Sequence, residues 1–198
     1  MSLIELMVGI AIVAILFSLA APSFSTWIQN THIRTAAEAI QNGVMLARAE
    51  AVRRNSTVRF QLTDTLDNSC ALSTTGTNWV VSQDDPTGAC ASPIPDPSDT
   101  APAAPRIVQT RAGAEGSRNA LVAAGQSTII FNGLGRQSPV PPQVIPVTVN
   151  IDISNPIGGD CAALGGPMRC LRVVVSPGGQ VRMCDPAFVF SDTYPQGC

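Results

Sequence analysis

The sequence has no lysine, one histidine and one tyrosine, and only 13% of its residues are charged. The missing lysine reads as nucleotide-composition bias, because arginine supplies all 12 basic side chains. The lone histidine, His32, has no acid, serine or cysteine pattern around it. General-base work needs an orienting partner, so His32 reads as a solvated polar residue on a helix. No Gly-x-Ser-x-Gly, His-Glu-x-x-His, P-loop or paired-acid motif is present, which leaves an enzyme reading without support. The Gly-rich stretches GLGR and PGGQ are turn signals, since no helical pattern follows either one to cradle a phosphate. Asp185 and Asp192 stand without a ligand loop for calcium. No close Cys-x-x-Cys pair offers a zinc site, so neither metal nor cofactor is assigned. The formal charge of −2 calls for neither nucleic acid nor anionic lipid.

What the chain does contain is an apolar start. Residues 6–17, LMVGIAIVAILF, carry no polar atom in their side chains, and a carboxylate, Glu5, stands at the mouth of the run. From Met1 to Ala21 a helix would extend about 31 Å, close to the hydrocarbon thickness of a bilayer. No Lys or Arg precedes Arg34, which argues against a secretory signal peptide with its basic leading region. A plain membrane anchor fits the length but leaves Glu5 unexplained, because an acid at that depth is costly.

Beyond Pro22 the pattern changes. Ile33, Ala37, Ile40, Val44, Ala47 and Ala51 recur at steps of four and three, the stripe of an amphipathic helix. Arg34, Glu38, Gln41, Arg48 and Glu50 lie off that stripe. Gly43 weakens the helix and marks a close packing approach. Pro22 predicts a bend near the membrane boundary. The organisation expected is therefore an apolar segment (1–22), the amphipathic half of one long helix (23–54) and a β-rich domain (55–198).

In that domain TVRFQL (57–62) alternates as a half-buried strand. NWVVSQ (78–83), RIVQT (106–110), STIIFNG (127–133) and VTVNIDI (147–153) read as further strands. CLRVVVS (170–176), Pro177-Gly178-Gly179 and QVRMC (180–184) form a hairpin. Residues 84–105 contain 6 Pro in 22 positions and read as a surface insertion partly held by Cys90. The tail after Cys184 carries Phe188, Phe190 and Tyr194, expected to lie over the sheet. One helix followed by six or seven antiparallel strands is α+β.

Six cysteines, Cys70, Cys90, Cys161, Cys170, Cys184 and Cys198, suggest an oxidising compartment. Their spacings allow three local loops, 70/90, 161/170 and 184/198, among the 15 connectivities that six cysteines permit.

The segment SLIELMVGIAIVAILFSLAAPSF resembles the N-terminal methylation segment of type IV pilins and type II secretion pseudopilins. IIFNGLGR (129–136) and LRVVVSPGGQVRMCDP (171–186) narrow the resemblance to the GspH/FimT branch, which includes FimU-like minor pilins. The resemblance implies a pilin-like subunit anchored once in the bacterial inner membrane, with its domain in the periplasm, that joins a type IV pilus or secretion pseudopilus. Its partners would be other pilin subunits, the inner-membrane assembly platform, the lipid bilayer and a prepilin peptidase acting on a precursor. Glu5 would meet the N-terminal amine of a neighbouring subunit, and Pro22 matches the family's helix-bending proline. Met1 stands where the usual N-methylated Phe would be. The leader and its Gly are not in the sequence, which implies a processed form or a start read too late. Some FimT-like members take up DNA with a Gly-Arg-x-Arg pattern in the last hairpin. Gly179, Gln180, Val181 and Arg182 match it with the first Arg replaced, leaving Arg182, Arg172 and Arg169 as candidate DNA contacts.

Overall fold

A computed structural model describes residues 2–96, 98, 99, 103–113 and 115–198, without the side chains of residues 17–22. Met1 and the Pro22 ring, and with them the processing position and the expected bend, lie outside the described residues and side chains.

The chain begins as one helix, α1 (Leu3–Arg54). Ser2 caps it. Its Oγ accepts the Glu5 backbone N–H at 3.3 Å, and the Glu5 carboxylate accepts the Ser2 N–H at 3.4 Å. This reciprocal box satisfies two amides that the first turn would otherwise leave bare. Asn55, at φ 46°, ends the helix in the left-handed conformation that asparagine tolerates. In the last turn Arg53 and Arg54 reach Glu50 at 2.7 and 2.6 Å. Arg53, the stronger partner, lowers the Glu50 pKa against the cost of its partial burial.

Nine strands follow: β1 (Val58–Thr63), β2 (Asn78–Ser82), β3 (Ile107–Arg111), β4 (Leu121–Ala124), β5 (Thr128–Phe131), β6 (Gln137–Ser138), β7 (Val149–Ser154), β8 (Leu171–Val175) and β9 (Val181–Cys184). They form two antiparallel sheets, ordered β3-β2-β1-β5-β6 and β4-β7-β8-β9. The expectation of six or seven strands therefore falls short. LVAA at β4 and the two residues of β6 carry too little β-propensity or length to register alone.

Both sheets pack on the second half of α1. The stripe Ile33, Ala37, Ile40, Val44, Ala47 and Ala51 is at most 2% exposed, and Phe60, Leu62, Phe131, Ile151, Val173 and Val175 close over it. Gly43 admits the rings of Phe60 and Trp79. A Cβ there would lie 2.8 Å from Phe60 Cε2 and 3.1 Å from the Trp79 indole.

Two sequence expectations need correction. β1 is not half-buried: Gln61 and Thr63 on its second face are also enclosed. The cause is the 84–105 insertion, which brings Cys90 against Cys70, Val80 and Ile107 over that face. His32 is half-buried rather than solvated, and its Nδ1 is shielded with no hydrogen-bond partner among the described residues. Of the tail aromatics, Phe190 lies against Arg182 on the outer face of the second sheet, and the other two pair with each other. Phe188 stacks on Tyr194 at 4.9 Å, and the Arg182 guanidinium lies 5.8 Å from the Phe190 ring centre.

Disulfides join Cys70 to Cys90, Cys161 to Cys170 and Cys184 to Cys198, with Cα separations of 6.1, 5.4 and 5.2 Å. The last ties the C-terminal residue to the end of β9.

Candidate assembly surface

The large apolar side chains of the first turns of α1 are turned outward. Leu3, Ile4, Leu6, Met7, Val8, Ile10, Ile12, Val13, Ile15 and Leu16 are each at least half exposed. They are spread around the helix, so the bare surface is a cylinder and not a stripe. A surface of that size on a lone chain marks an interface or a lipid contact. Glu5 is the single acid on the described part of this cylinder, and its described hydrogen bonds are those with Ser2. Among the described residues no helix is long and apolar enough to cross a membrane. The described side chains of the apolar run stop at Leu16.

Where the rod enters the domain, consecutive amides hold it. Gln29 Oε1 accepts Nδ2–H from fully buried Asn155 at 2.7 Å and from Asn119 at 3.3 Å. Asn30 Oδ1 accepts the Arg169 backbone N–H at 2.7 Å. Sequence reasoning missed these positions. Their only signal is a Gln-Asn pair inside a helix, which periodicity treats as surface.

At the other end of the domain the two stretches that carry the family resemblance meet. Arg48 Nε donates to the Gly135 carbonyl at 3.1 Å. The Gln137 amide donates to the Pro177 carbonyl at 3.1 Å, which links the two sheets. Gly179, at φ 83°, lies so close to the Gly135 carbonyl that a Cβ would collide with it. The glycines of both motifs thus serve a close approach between the hairpin turns and the helix.

The candidate DNA contacts are not brought together as free cations. Arg172 and Arg182 share the outer face of the second sheet, by the register Arg172↔Cys184 and Val174↔Arg182. Arg172 Nε donates to Asp152 Oδ1 at 2.7 Å. Arg182 donates to the backbone oxygens of Gly197 and Cys198 at 3.4 Å. Arg169 lies apart, exposed beside Asn30. Asp185 accepts the Ala187 N–H at 2.9 Å, and no group of three or more His, Cys, Asp or Glu converges among the described residues.

An antiparallel β domain wrapped on the second half of a long helix, with an exposed apolar run from Leu3 to Leu16 at the helix start, is the architecture of a pilin-type subunit. The chain belongs to the GspH family: the family model described as "Type II transport protein GspH" matches residues 36–179, more than half of its length. A crystal structure of the Pseudomonas aeruginosa (strain PAO1) type IV minor pilin FimU, in space group P21, aligns at a TM-score of 0.45 and 16% identity, over 78% of this chain and 89% of that one. The same protein in space group P65 aligns at 0.45 and 15%, over 78% and 93%. No curated protein matches. Membership of that family makes this chain a subunit of the pilin and pseudopilin type, a class that assembles with other pilins.

Proposed function

We propose that the chain is anchored in the inner membrane by residues 1–22 and passes into a pilus or pseudopilus through lateral packing of that segment. The amphipathic half (23–54) carries the domain (55–198), which stands in the periplasm. An assembly platform and a prepilin peptidase act on it there or at the membrane. The supporting observation is the apolar cylinder from Leu3 to Leu16, whose large side chains are at least half exposed.

Burying that cylinder among like helices supplies the driving force, at roughly 25 cal/mol per Å² of apolar surface removed from water or exchanged against lipid packing. Glu5 sets the register. A carboxylate in low dielectric needs a cation, and a neighbour's N-terminal amine would be that cation. The helix dipole adds a favourable field for an acid in the first turn. The role in pilus biogenesis or protein secretion follows from assembly and needs no catalytic step.

The DNA-uptake reading draws less from the geometry, because Arg172 and Arg182 already have partners in Asp152 and the tail. The test is Glu5→Gln. Loss of the variant from sheared filaments, with unchanged near-ultraviolet circular dichroism of the domain, is the expected result. Normal incorporation would sink the pairing.

A further inference from the structure

The anchoring proposed above has a consequence for the cleft between α1 and the end of the second sheet. This opening of about 580 Å³ is lined by Trp27, Asn30 and Arg34 on the helix side and by Arg169, Met183 and Asp185 on the sheet side. We infer that it is a binding site for the phosphate headgroup of an anionic phospholipid of the bilayer that holds the chain. The inference rests on the anchoring reading and goes beyond it by naming a ligand.

The position of the cleft along the rod carries the argument. If Glu5 stays at one bilayer surface, a hydrocarbon layer of ~30 Å takes up about 20 helical residues. The opposite boundary then falls at Phe24 and Trp27. These two rings stack at 5.9 Å and are 61% and 63% exposed. Exposed aromatics at such a level are interfacial anchors. Arg34 follows seven residues later, ~10 Å farther along the axis. Helical side chains lean toward the N-terminus, here toward the bilayer, and an arginine stem can reach several ångströms down to the phosphate layer.

The chemistry agrees with the position. Asn30 fixes the Arg169 backbone one helical turn before Arg34, and both arginines line the same opening. Among the described residues the Arg169 side chain has no acidic partner. Arg34 pairs with Glu38 at 2.8 Å, but the two side chains are 75% and 47% exposed, and such surface pairs exchange partners readily. Asp185 is the one acid in the lining, which sets two arginines against one carboxylate there once Arg34 leaves Glu38. Guanidinium groups favour the planar, multiply bonded recognition that a phosphodiester offers.

The experiment uses the full chain in detergent and in nanodiscs. Native mass spectrometry after exposure to equal phosphatidylglycerol and phosphatidylcholine reads lipid retention. Nanodisc co-purification reads insertion separately. The expected result is retention of phosphatidylglycerol over phosphatidylcholine by about fivefold or more for each arginine. The preference should vanish in the Arg34→Gln/Arg169→Gln double variant and survive in Arg182→Gln. Equal retention of the two lipids by an inserted chain overturns the headgroup site alone. So does displacement of the lipid by millimolar glycerol phosphate, which would make the ligand a free anion. Failure of the chain to enter nanodiscs overturns the anchoring reading and the site with it.

Discussion

Arg106 closes on Asp84 through two parallel hydrogen bonds, Nε to Oδ2 and Nη2 to Oδ1, both 2.7 Å. Its backbone N–H also reaches Oδ2 at 3.1 Å. Residue 84 opens the Pro-rich insertion, and residue 106 follows its end, so the pair cinches the neck of a loop that has little secondary structure of its own. Cys90, bonded to Cys70, fastens the loop farther out. Together they hold it over β1 and keep Gln61 dry.

Asp84→Asn should therefore lower stability at neutral pH and flatten the acid limb of the stability curve. The Arg106 hydrogen bonds hold the Asp84 carboxyl at about 2, against an ordinary value of 3.8. A depressed folded-state value means that the stabilisation is complete above about pH 4 and is lost as the pH falls toward 2. Both side chains are partly exposed, so water screens the pair and leaves on the order of 1 kcal/mol. Urea denaturation of wild type and variant at pH 7 and pH 2.5 checks this. Equal differences at both pH values would exclude it.

Gly43→Ala should destabilise the domain although alanine is the better helix former. Its Cβ would press on Phe60 and Trp79, side chains that are at most 2% exposed and have little room to yield. Overpacking of this kind costs about 1–3 kcal/mol, more than the ~1 kcal/mol of helix propensity gained. Gly9→Ala is the control, since nothing lies within 4 Å of a Cβ there. A higher melting temperature for Gly43→Ala would show that the contact relaxes.

Gln29→Ala should loosen the rod where it enters the domain. Two asparagine donors lose their common acceptor, and one of them, Asn155, is fully buried. A buried donor left without a partner costs about 1–3 kcal/mol. Hydrogen exchange around residues 153–157 should rise with the fall in denaturation midpoint. An unchanged midpoint would mean that Asn155 finds another acceptor.

The helical stripe from Ile33 to Ala51 was legible because a period near 3.6 is written in every turn. The late hairpin was legible because Pro177-Gly178-Gly179 punctuates two β-branched runs. The second face of β1 was not legible. Gln61 and Thr63 look like solvent positions by alternation, and only a distant insertion makes them interior. The division into two sheets was hidden for a related reason, since strand partnership is long-range and each strand carries only its own period. The apolar cylinder and Glu5 stand in the first lines of the sequence. The amide pin at Gln29 and the fate of Arg172 and Arg182 do not, because a side chain's partner is a property of the fold.

Replacing both Cys184 and Cys198 with Ser should free the tail while leaving the two sheets intact. The bond closes a short loop, for which the chain-entropy model gives about 2–3 kcal/mol. The Phe188–Tyr194 stack is half in solvent and cannot hold residues 185–198 alone. Limited proteolysis should cut the variant after Phe188 or Phe190, with the rest of the domain resistant. Equal resistance in both proteins would assign the tail's order to its hydrogen bonds.

α1 is a single element from Leu3 to Arg54, and both sheets grip its second half along the whole buried stripe. A tug on the first turn therefore arrives at the domain as sliding parallel to the axis, which strains the contacts of Ile33, Ile40 and Val44 together instead of one after another. A load shared in that way is borne up to a threshold and then released at once. The same rod that gives the chain its greasy end also makes it a tether suited to being pushed and hauled.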